Sequence, residues 1–242
     1  DGNTKTIPLG VAHFLEHKLF EQDGKDISEQ FAKNGAQVNA YTMNNRTTYL
    51  FSCTDLVLPS IGLLLQFVFN PTFSQTGIDK EIGIINQEIS MYEDDPNTAI
   101  YMGVLRNMYS KHPVQHDILG TSESIATIDK TVLDNVHQLF YHPENMVLFI
   151  TGNIDVESTI AFIEDNMNVP TPTIARIPDE VVQEPLTVHK QLDSKVMDVL
   201  MPNCLVGLKL PVEDLTYAHI MKNELIYTIL LDIFVGKSSS NY

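Results

Sequence analysis

Residues 10–20 read GVAHFLEHKLF, and this stretch decides the fold and the chemistry that we expect. It sets two histidines and one glutamate, His13, Glu16 and His17, among apolar residues. On a helix with about 100° per residue, Glu16 lies roughly 60° to one side of His13, and His17 lies roughly 40° to the other. The three side chains therefore share one helix face, where two imidazoles and one carboxylate can meet at a point.

This HxxEH pattern is the inverted form of a zinc-binding helix. In such a helix the two histidines supply nitrogen ligands, and the glutamate stays off the metal and acts as a base. The competing interpretation is a pair of hydrogen-bonded core histidines beside a surface glutamate. Zinc is the cofactor that the pattern favours.

A catalytic zinc ion takes three protein ligands and leaves the fourth position open, so one more ligand is expected elsewhere in the chain. Glu88 is the best candidate, because it lies on an expected helix (residues 78–92) with apolar residues three and four positions away. Those neighbours are Ile84, Ile85, Met91 and Tyr92. Glu81 lies seven residues earlier on nearly the same line, which suggests one ligand and one supporting acid. For each acid, the competing interpretation is a side chain that reaches solvent or pairs with Lys or Arg.

Two other histidines also have helical spacing, but they carry a weaker signal. His112 and His116 are four residues apart, and Pro113 lies between them. Proline disfavours a continuous helix at this point, so we assign both histidines to a loop.

Composition excludes several classes of protein. The 242 residues include 15 Lys and Arg against 31 Asp and Glu, a formal charge of −16 that would repel nucleic acid and anionic membranes. The longest apolar runs, such as residues 61–69, fall short of the roughly 18 to 20 residues that span a bilayer, so no membrane span is expected. Cys53 and Cys204 give no disulfide framework, which favours the cytoplasm. The ends show neither an initiator Met nor a signal-peptide layout, and both look like cuts in a longer chain.

The remaining pattern predicts an α+β fold, because neighbouring strands and helices occur without regular βαβ alternation. Two strands, residues 36–43 and 47–54, read as a hairpin. A buried strand is expected at residues 146–151, and strand material at 195–210. Helices are expected at residues 10–21, 27–33, 56–69, 78–92, 98–109, 131–141, 155–166 and 217–234. A Pro- and Thr-rich stretch suggests a zinc-binding catalytic half-domain at 1–168, a linker at 169–185 and the beginning of a second half-domain at 186–242.

With these residues in place, the chain resembles the insulinase/pitrilysin family of zinc metallopeptidases, and within it the bacterial processing-protease-like members. The resemblance runs from residue 10 to about residue 166. It rests on the HxxEH string, on NGAQVNAYTMNNRTTYLFS (34–52), on KEIGIINQEISMY (80–92) and on HPENMVLFITGNI (142–154). It implies that His13, His17 and Glu88 bind Zn²⁺, that Glu16 is the base, and that Glu81 is a further catalytic acid that supports the site.

The resemblance also implies an architecture. Family members have a layered half-domain with a mostly antiparallel sheet packed by helices, the fold shared by S-ribosylhomocysteine lyases and mitochondrial processing peptidases. Half-domains occur in pairs, and two pairs close around a peptide, so the partner could be a second copy or a related subunit. Substrate would add to the edge strand at Val38, Asn39, Ala40, Tyr41 and Thr42. The strand that usually precedes the HxxEH helix is missing or reduced to residues 1–7, and the family's distal half is absent.

The implied function is zinc-dependent endopeptidase activity in a bacterial cytoplasm, in which Glu16 assists the attack of water on a peptide bond. One alternative is a lyase with a similar inverted motif, but such chains match neither the length nor the Glu81/Glu88 helix. The other is a non-catalytic structural or substrate-presenting subunit. This second alternative would require a family member that has lost its catalytic motif. The sequence argues against such a loss, because it retains His13, Glu16, His17 and Glu88.

Overall fold

Helices make up most of the described chain, and its strands form two antiparallel pairs. The computed structural model describes residues 6–22, 24–167, 182–211 and 216–236. Its elements are α1 (Val11–Leu19), β1 (Glu21–Gln22), β2 (Lys25–Asp26), α2 (Ser28–Lys33), β3 (Gln37–Met43), β4 (Arg46–Ser52), α3 (Val57–Phe69), α4 (Gln75–Asp94), α5 (Pro96–Met108), α6 (Ser122–Ile125), α7 (Lys130–Phe140), α8 (Val156–Asn166) and α9 (Tyr217–Val235). The α+β class is confirmed.

The predicted hairpin is confirmed. β3 and β4 pair antiparallel from Gln37 opposite Ser52 to Met43 opposite Arg46, so the loop between the strands is Asn44 and Asn45 alone. Exposure alternates along β3, with every second residue half-buried. Because the side chains alternate with a period of two, one face of the strand points towards α1 and the other face is open to solvent.

The core lies under the inner face of α1. Phe14, Leu15 and Leu19 are fully buried and belong to one apolar cluster with Phe67 of α3 and Ile78 of α4. Burial of each such side chain is worth about 1.5 to 3 kcal/mol, so this face fixes the rotation of α1 about its axis. The opposite face, which carries the two histidines of the motif, is thereby held towards α4 and β3.

The connection between α4 and α5 is tight and well capped. Asp95 closes it, because its Oδ2 accepts a 2.7 Å hydrogen bond from the backbone N–H of Thr98. Pro96 opens α5 at a position where a helix needs no backbone donor. The two helices therefore form a rigid corner beside the C-terminal half of α4.

Two of the strand predictions are wrong. Residues 146–151 and 195–210 contain no strand, and in the first stretch Val147 is 93% and Phe149 83% exposed. An extended segment becomes a strand only when another strand offers its backbone groups. In the part of the chain that the structure describes, strand pairing occurs only between β1 and β2 and between β3 and β4.

Residues 182–211 are fastened to the end of α5 through Glu184. Its carboxylate accepts hydrogen bonds from the backbone N–H groups of Ser110, Lys111 and His112, and from Nζ of Lys209 at 2.9 Å. Burial opposes ionisation of Glu184, but these four donors outweigh burial and hold its pKa well below the usual range.

The division into half-domains stays a prediction. The expected linker at 169–185 lies outside the described residues as far as residue 181. The helix predicted at residues 217–234 is confirmed as α9, and much of its apolar surface is open, with Leu225 62% and Ile233 60% exposed. Within the described ranges, no helix combines the length and apolar character needed to cross a membrane.

Candidate metal centre

α1 and α4 cross so that three potential metal ligands meet. His13 and His17, one turn apart on α1, both turn Nε2 towards Glu88 on α4. Oε2 of Glu88 lies 3.8 Å from Nε2 of His13 and 3.9 Å from Nε2 of His17. One ligand atom from each residue falls within 4.8 Å of the other two. The structure thus brings together the three residues that the sequence suggested as ligands.

The donor set fits zinc. With Zn–N and Zn–O bonds of about 2.0 to 2.2 Å, tetrahedral ligand atoms lie roughly 3.3 to 3.6 Å apart, slightly closer than the two nitrogen–oxygen distances found here. Burial, together with the charge of His17, lowers the pKa of His13 to about 4, so its imidazole is neutral and able to bind a metal at pH 7. Burial and neighbouring carboxylates raise the pKa of Glu88, although the charge of His17 lowers it. A divalent cation would compensate this partly buried carboxylate.

Glu81 contacts His17 from the Nδ1 side of the imidazole, whereas Glu88 lies on the Nε2 side, where the three potential ligands meet. Its Oε1 lies 2.9 Å from Nδ1 of His17, and the carboxylate is mostly buried. This hydrogen bond raises the pKa of His17 against the opposing effect of burial. Because a carboxylate only accepts, the bond places the proton on Nδ1 and leaves the lone pair of Nε2 facing Glu88.

Glu16 is buried and held by β3, so it is not the surface glutamate of the competing interpretation. Its exposed fraction is 9%, and its Oε2 accepts a 2.6 Å hydrogen bond from Oγ1 of Thr42. Sequence reasoning missed this contact, which joins residues 26 positions apart. The alternation of β3 places Thr42 on the same face as Val38 and Ala40, which was the available signal.

The five residues suggested for substrate binding lie along β3 at the edge of the site. Of these, Val38, Ala40 and Thr42 are half-buried, whereas Asn39 and Tyr41 are exposed. Among the described residues, β4 is the sole strand paired with β3. The other edge of β3 therefore carries no strand partner in that part of the chain.

The prediction that apolar side chains surround Glu88 on its helix is only partly correct. Ile84 is 41%, Met91 60% and Tyr92 38% exposed, whereas Ile85 is buried. The face of α4 that enters the core is instead formed by Ile78, Glu81, Ile85 and Ile89. Glu88 lies at the border between the core face and the open face of the helix. This position puts the carboxylate within reach of both the half-buried histidines and solvent.

Two family models match the chain, and both describe peptidase-related proteins. Residues 5–122 match "Insulinase (Peptidase family M16)" and residues 127–240 match "Peptidase M16 inactive domain". The chain belongs to the insulinase family of zinc metallopeptidases. The resemblance inferred from the motifs is confirmed.

Bacterial relatives and solved structures agree with this family. The chain is 43% identical over 240 residues to the uncharacterized zinc protease YmfH of Bacillus subtilis, covering 98% of this chain and 55% of that protein. It is 31% identical over 161 residues to the uncharacterized zinc protease YmxG of the same organism, covering 64% and 38% of the two chains. An M16-like peptidase from Alicyclobacillus acidocaldarius superimposes with a TM-score of 0.82 at 37% identity, covering 99% of this chain and 57% of that one. The chain thus spans about half the length of these relatives.

Proposed function

We propose that the protein is a zinc-dependent endopeptidase that hydrolyses peptides or unfolded segments of proteins. The observation that carries this proposal is the convergence of His13, His17 and Glu88 on one point, next to the buried carboxylate of Glu16. The names of the relatives, which are zinc proteases, support a peptidase and support zinc as its metal.

In the proposed site His13, His17 and Glu88 hold the zinc ion. When bound there, zinc supplies Lewis-acid chemistry, which polarises a peptide carbonyl and makes water a better nucleophile at neutral pH. Glu81 positions the imidazole of His17 through Nδ1. The site therefore needs both acids of α4, in different roles.

Glu16 is the proposed general base and acid. It takes a proton from the attacking water at its carboxylate and passes that proton to the leaving amine nitrogen. The hydrogen bond from Thr42 fixes the orientation of the carboxylate, so the proton acceptor is in place before substrate arrives. Positioned acid–base chemistry of this kind contributes about 10² to 10⁴ in rate.

β3 is the proposed binding edge for the peptide backbone. A substrate added at Val38 to Thr42 would pair with the backbone of the open edge of the strand, where the N–H of Ala40 donates to Oδ1 of Asn39 at 2.9 Å in the absence of a peptide. Because Thr42 contacts Glu16, a peptide on this edge passes directly beside the base. The charge of −16 would favour basic rather than acidic substrates in the encounter.

A non-catalytic role is the second candidate, and one finding favours it for part of the chain. Residues 127–240 match the model described as an inactive domain. We propose that this part shapes the chamber and presents substrate, while residues 5–122 carry the chemistry. A structural role for the whole chain is less well supported, because His13, His17 and Glu88 converge and Glu16 lies close to them.

We further propose that the protein works in the cytoplasm. We also propose that it encloses the peptide between its own half-domains and a second pair, which belongs either to a second copy or to a related subunit. Cys53 and Cys204 are unpaired, as expected in a reducing compartment. Light scattering of the full-length protein tests self-association, and cell fractionation tests the location.

The experiment for the main proposal uses the full-length protein and unstructured peptides of about 10 to 30 residues. Mass spectrometry should show internal cleavage that disappears when zinc is removed by a chelator and returns when zinc is restored. The Glu16→Gln variant serves as the blank for contaminating proteases. Cleavage that survives complete removal of metal, or no cleavage by zinc-loaded protein, would contradict the proposal.

A further inference from the structure

The hydroxyl of Thr42 is the last member of a row of hydroxyl groups that lies behind Glu16. Thr42 stands directly opposite Thr47 in the hairpin of β3 and β4, and the Oγ1 atoms of the two threonines lie 3.4 Å apart. Tyr141, which follows α7, hydrogen-bonds to the side chain of Thr47, and its hydroxyl oxygen lies 2.8 Å from that of Tyr49 on β4. We call Thr42, Thr47, Tyr141 and Tyr49 the hydroxyl chain.

The hydroxyl chain has one direction, because each hydroxyl has a single proton to donate. A carboxylate only accepts, so the proton of Thr42 is committed to Oε2 of Glu16. The bond between the two threonines then needs the proton of Thr47, and the bond between Thr47 and Tyr141 needs the proton of Tyr141. Tyr49 must therefore donate to Tyr141. All four hydroxyls point, one after another, towards Glu16.

Both tyrosines keep their protons at neutral pH, as this direction requires. Burial raises the pKa of Tyr141 to about 12, and burial also raises the pKa of Tyr49 well above its usual range. The charge of Glu16 raises the pKa of each phenol further. Each phenol is therefore available as a donor under the conditions of the proposed reaction.

Packing against the core holds both phenol rings in place. The ring of Tyr141 stacks on that of His137 with 4.7 Å between the ring centres, and Nε2–H of His137 donates to the backbone carbonyl of Val68 at 2.8 Å. The ring of Tyr49 packs at 84° against the buried ring of Phe67, with 5.5 Å between the ring centres. The two hydroxyls are thus held at their contacts by rings that are themselves fixed.

The hydroxyl chain also joins two parts of the sequence that the family models separate. Thr47 and Tyr49 fall within residues 5–122, whereas Tyr141 falls within residues 127–240. The part of the chain that matches the inactive-domain model therefore supplies the link between these two residues of β4.

We infer that Thr47, Tyr141 and Tyr49 are positioning residues for the proposed base, on which they act through Thr42. The inference rests on the proposed function in taking Glu16 as that base. Each hydroxyl orients the next, so the last one presents its hydrogen to Oε2 and restricts the rotation of the carboxylate. The three residues are neither proposed ligands nor part of the proposed substrate edge. Loss of one hydroxyl should therefore lower kcat and leave KM and zinc content unchanged.

The test measures kcat and KM of the full-length, zinc-loaded protein on unstructured peptides. Tyr141→Phe removes a donor from the middle of the hydroxyl chain and should lower kcat by about twofold to tenfold at unchanged KM. Thr47→Val should have a similar effect, and Thr47→Ser, which keeps the hydroxyl, should restore most of the rate. Tyr217→Phe on α9 is the matched control, because Tyr217 is 78% exposed, and it should turn over like the wild type.

A double-mutant cycle separates positioning through Thr42 from a general effect on the structure. In the Thr42→Val background the hydroxyl chain no longer reaches Glu16, so the addition of Tyr141→Phe should change kcat by less than about twofold. A purely structural role of Tyr141 would give the same loss in both backgrounds.

Carbon NMR of isotope-labelled glutamate supplies a measurement that needs no turnover. The carboxylate signal of Glu16, identified by its loss in Glu16→Gln, should shift in Tyr141→Phe. It should not shift further when Tyr141→Phe is added to Thr42→Val, because the hydroxyl chain is already cut.

A loss of kcat and an NMR shift that both depend on Thr42 are the expected result. An unchanged kcat in Tyr141→Phe, a loss that persists in the Thr42→Val background, or an unshifted Glu16 signal would overturn the inference. A Thr42-dependent shift in a protein that cleaves no peptide would contradict the proposed function alone. Cleavage that is insensitive to Thr47→Val and Tyr141→Phe would contradict this inference alone.

Discussion

Thr42 on β3 donates its hydroxyl hydrogen to Glu16 on α1 across 2.6 Å, so one hydrogen bond joins the exposed strand edge to the proposed base. Hydrogen bonds to charged groups contribute about 1.5 to 3 kcal/mol. The bond also restricts the rotation of the carboxylate that, in the proposed mechanism, faces the attacking water. On that proposal, peptide binding at β3 and proton transfer at Glu16 would be coupled through the side chain of Thr42.

The Thr42→Val variant tests this coupling. Loss of the hydroxyl should lower kcat/KM by about tenfold to a hundredfold, since the base loses its positioning partner. Zinc content should not change, because the side-chain hydrogen bonds of Thr42 run to Glu16 and Thr47 and not to a proposed ligand. Thr42→Ser keeps the hydroxyl and should restore most of the rate. Equal kcat/KM for the Val and Ser variants would show that the hydrogen bond has no role in catalysis.

Glu81→Gln tests the support of His17. The amide keeps the shape of the side chain but loses the charge that orients Nδ1–H of the imidazole, so zinc affinity should fall by about tenfold or more. Competition with a fluorescent chelator gives the affinity. Glu93→Gln, an exposed acid on the same helix, is the matched control and should bind zinc like the wild type. An unchanged affinity in Glu81→Gln would remove Glu81 from the site.

Gly10→Ala tests the backbone contact that joins α1 to the loop at Leu119. The left-handed conformation of Gly10 costs an alanine about 1 to 2 kcal/mol, and its Cβ would also overlap the carbonyl of Leu119. Urea denaturation should show a loss of at least this size. Gly83→Ala, inside α4 with open space around the new methyl group, should instead gain about 0.5 to 1 kcal/mol. Similar stability for the two variants would mean that the Gly10 contact is not tight.

Local sequence patterns predicted the helices and the hairpin well. The HxxEH helix, the hairpin and the helix that bears Glu81 and Glu88 all lie within a few residues of their expected bounds. Each has a signal within the segment itself: a shared helix face for the HxxEH residues, strand alternation for the hairpin, and the helical spacing of Glu81 and Glu88.

Features that depend on distant partners were predicted poorly. Residues 146–151 and 195–210 have apolar strand-like composition, but strand formation depends on a neighbour that local sequence does not specify. The buried face of α4 was predicted wrongly for the same reason, since Ile84 is as apolar as Ile85 and yet faces outwards. The contact between Thr42 and Glu16, and the hydroxyl chain behind it, arise where separate elements meet. No pattern within one segment indicates them.

The most direct test of the account compares zinc content and peptide turnover in Glu16→Gln and Glu88→Gln of the full-length protein. Glu16→Gln should bind about one zinc ion per chain and lose turnover by at least about 10²-fold, because the amide cannot accept the proton. Glu88→Gln should lose zinc itself, since a neutral amide replaces a charged ligand. Equal loss of zinc in both variants, or near-normal turnover in Glu16→Gln, would contradict the assignment of Glu88 as ligand and Glu16 as base.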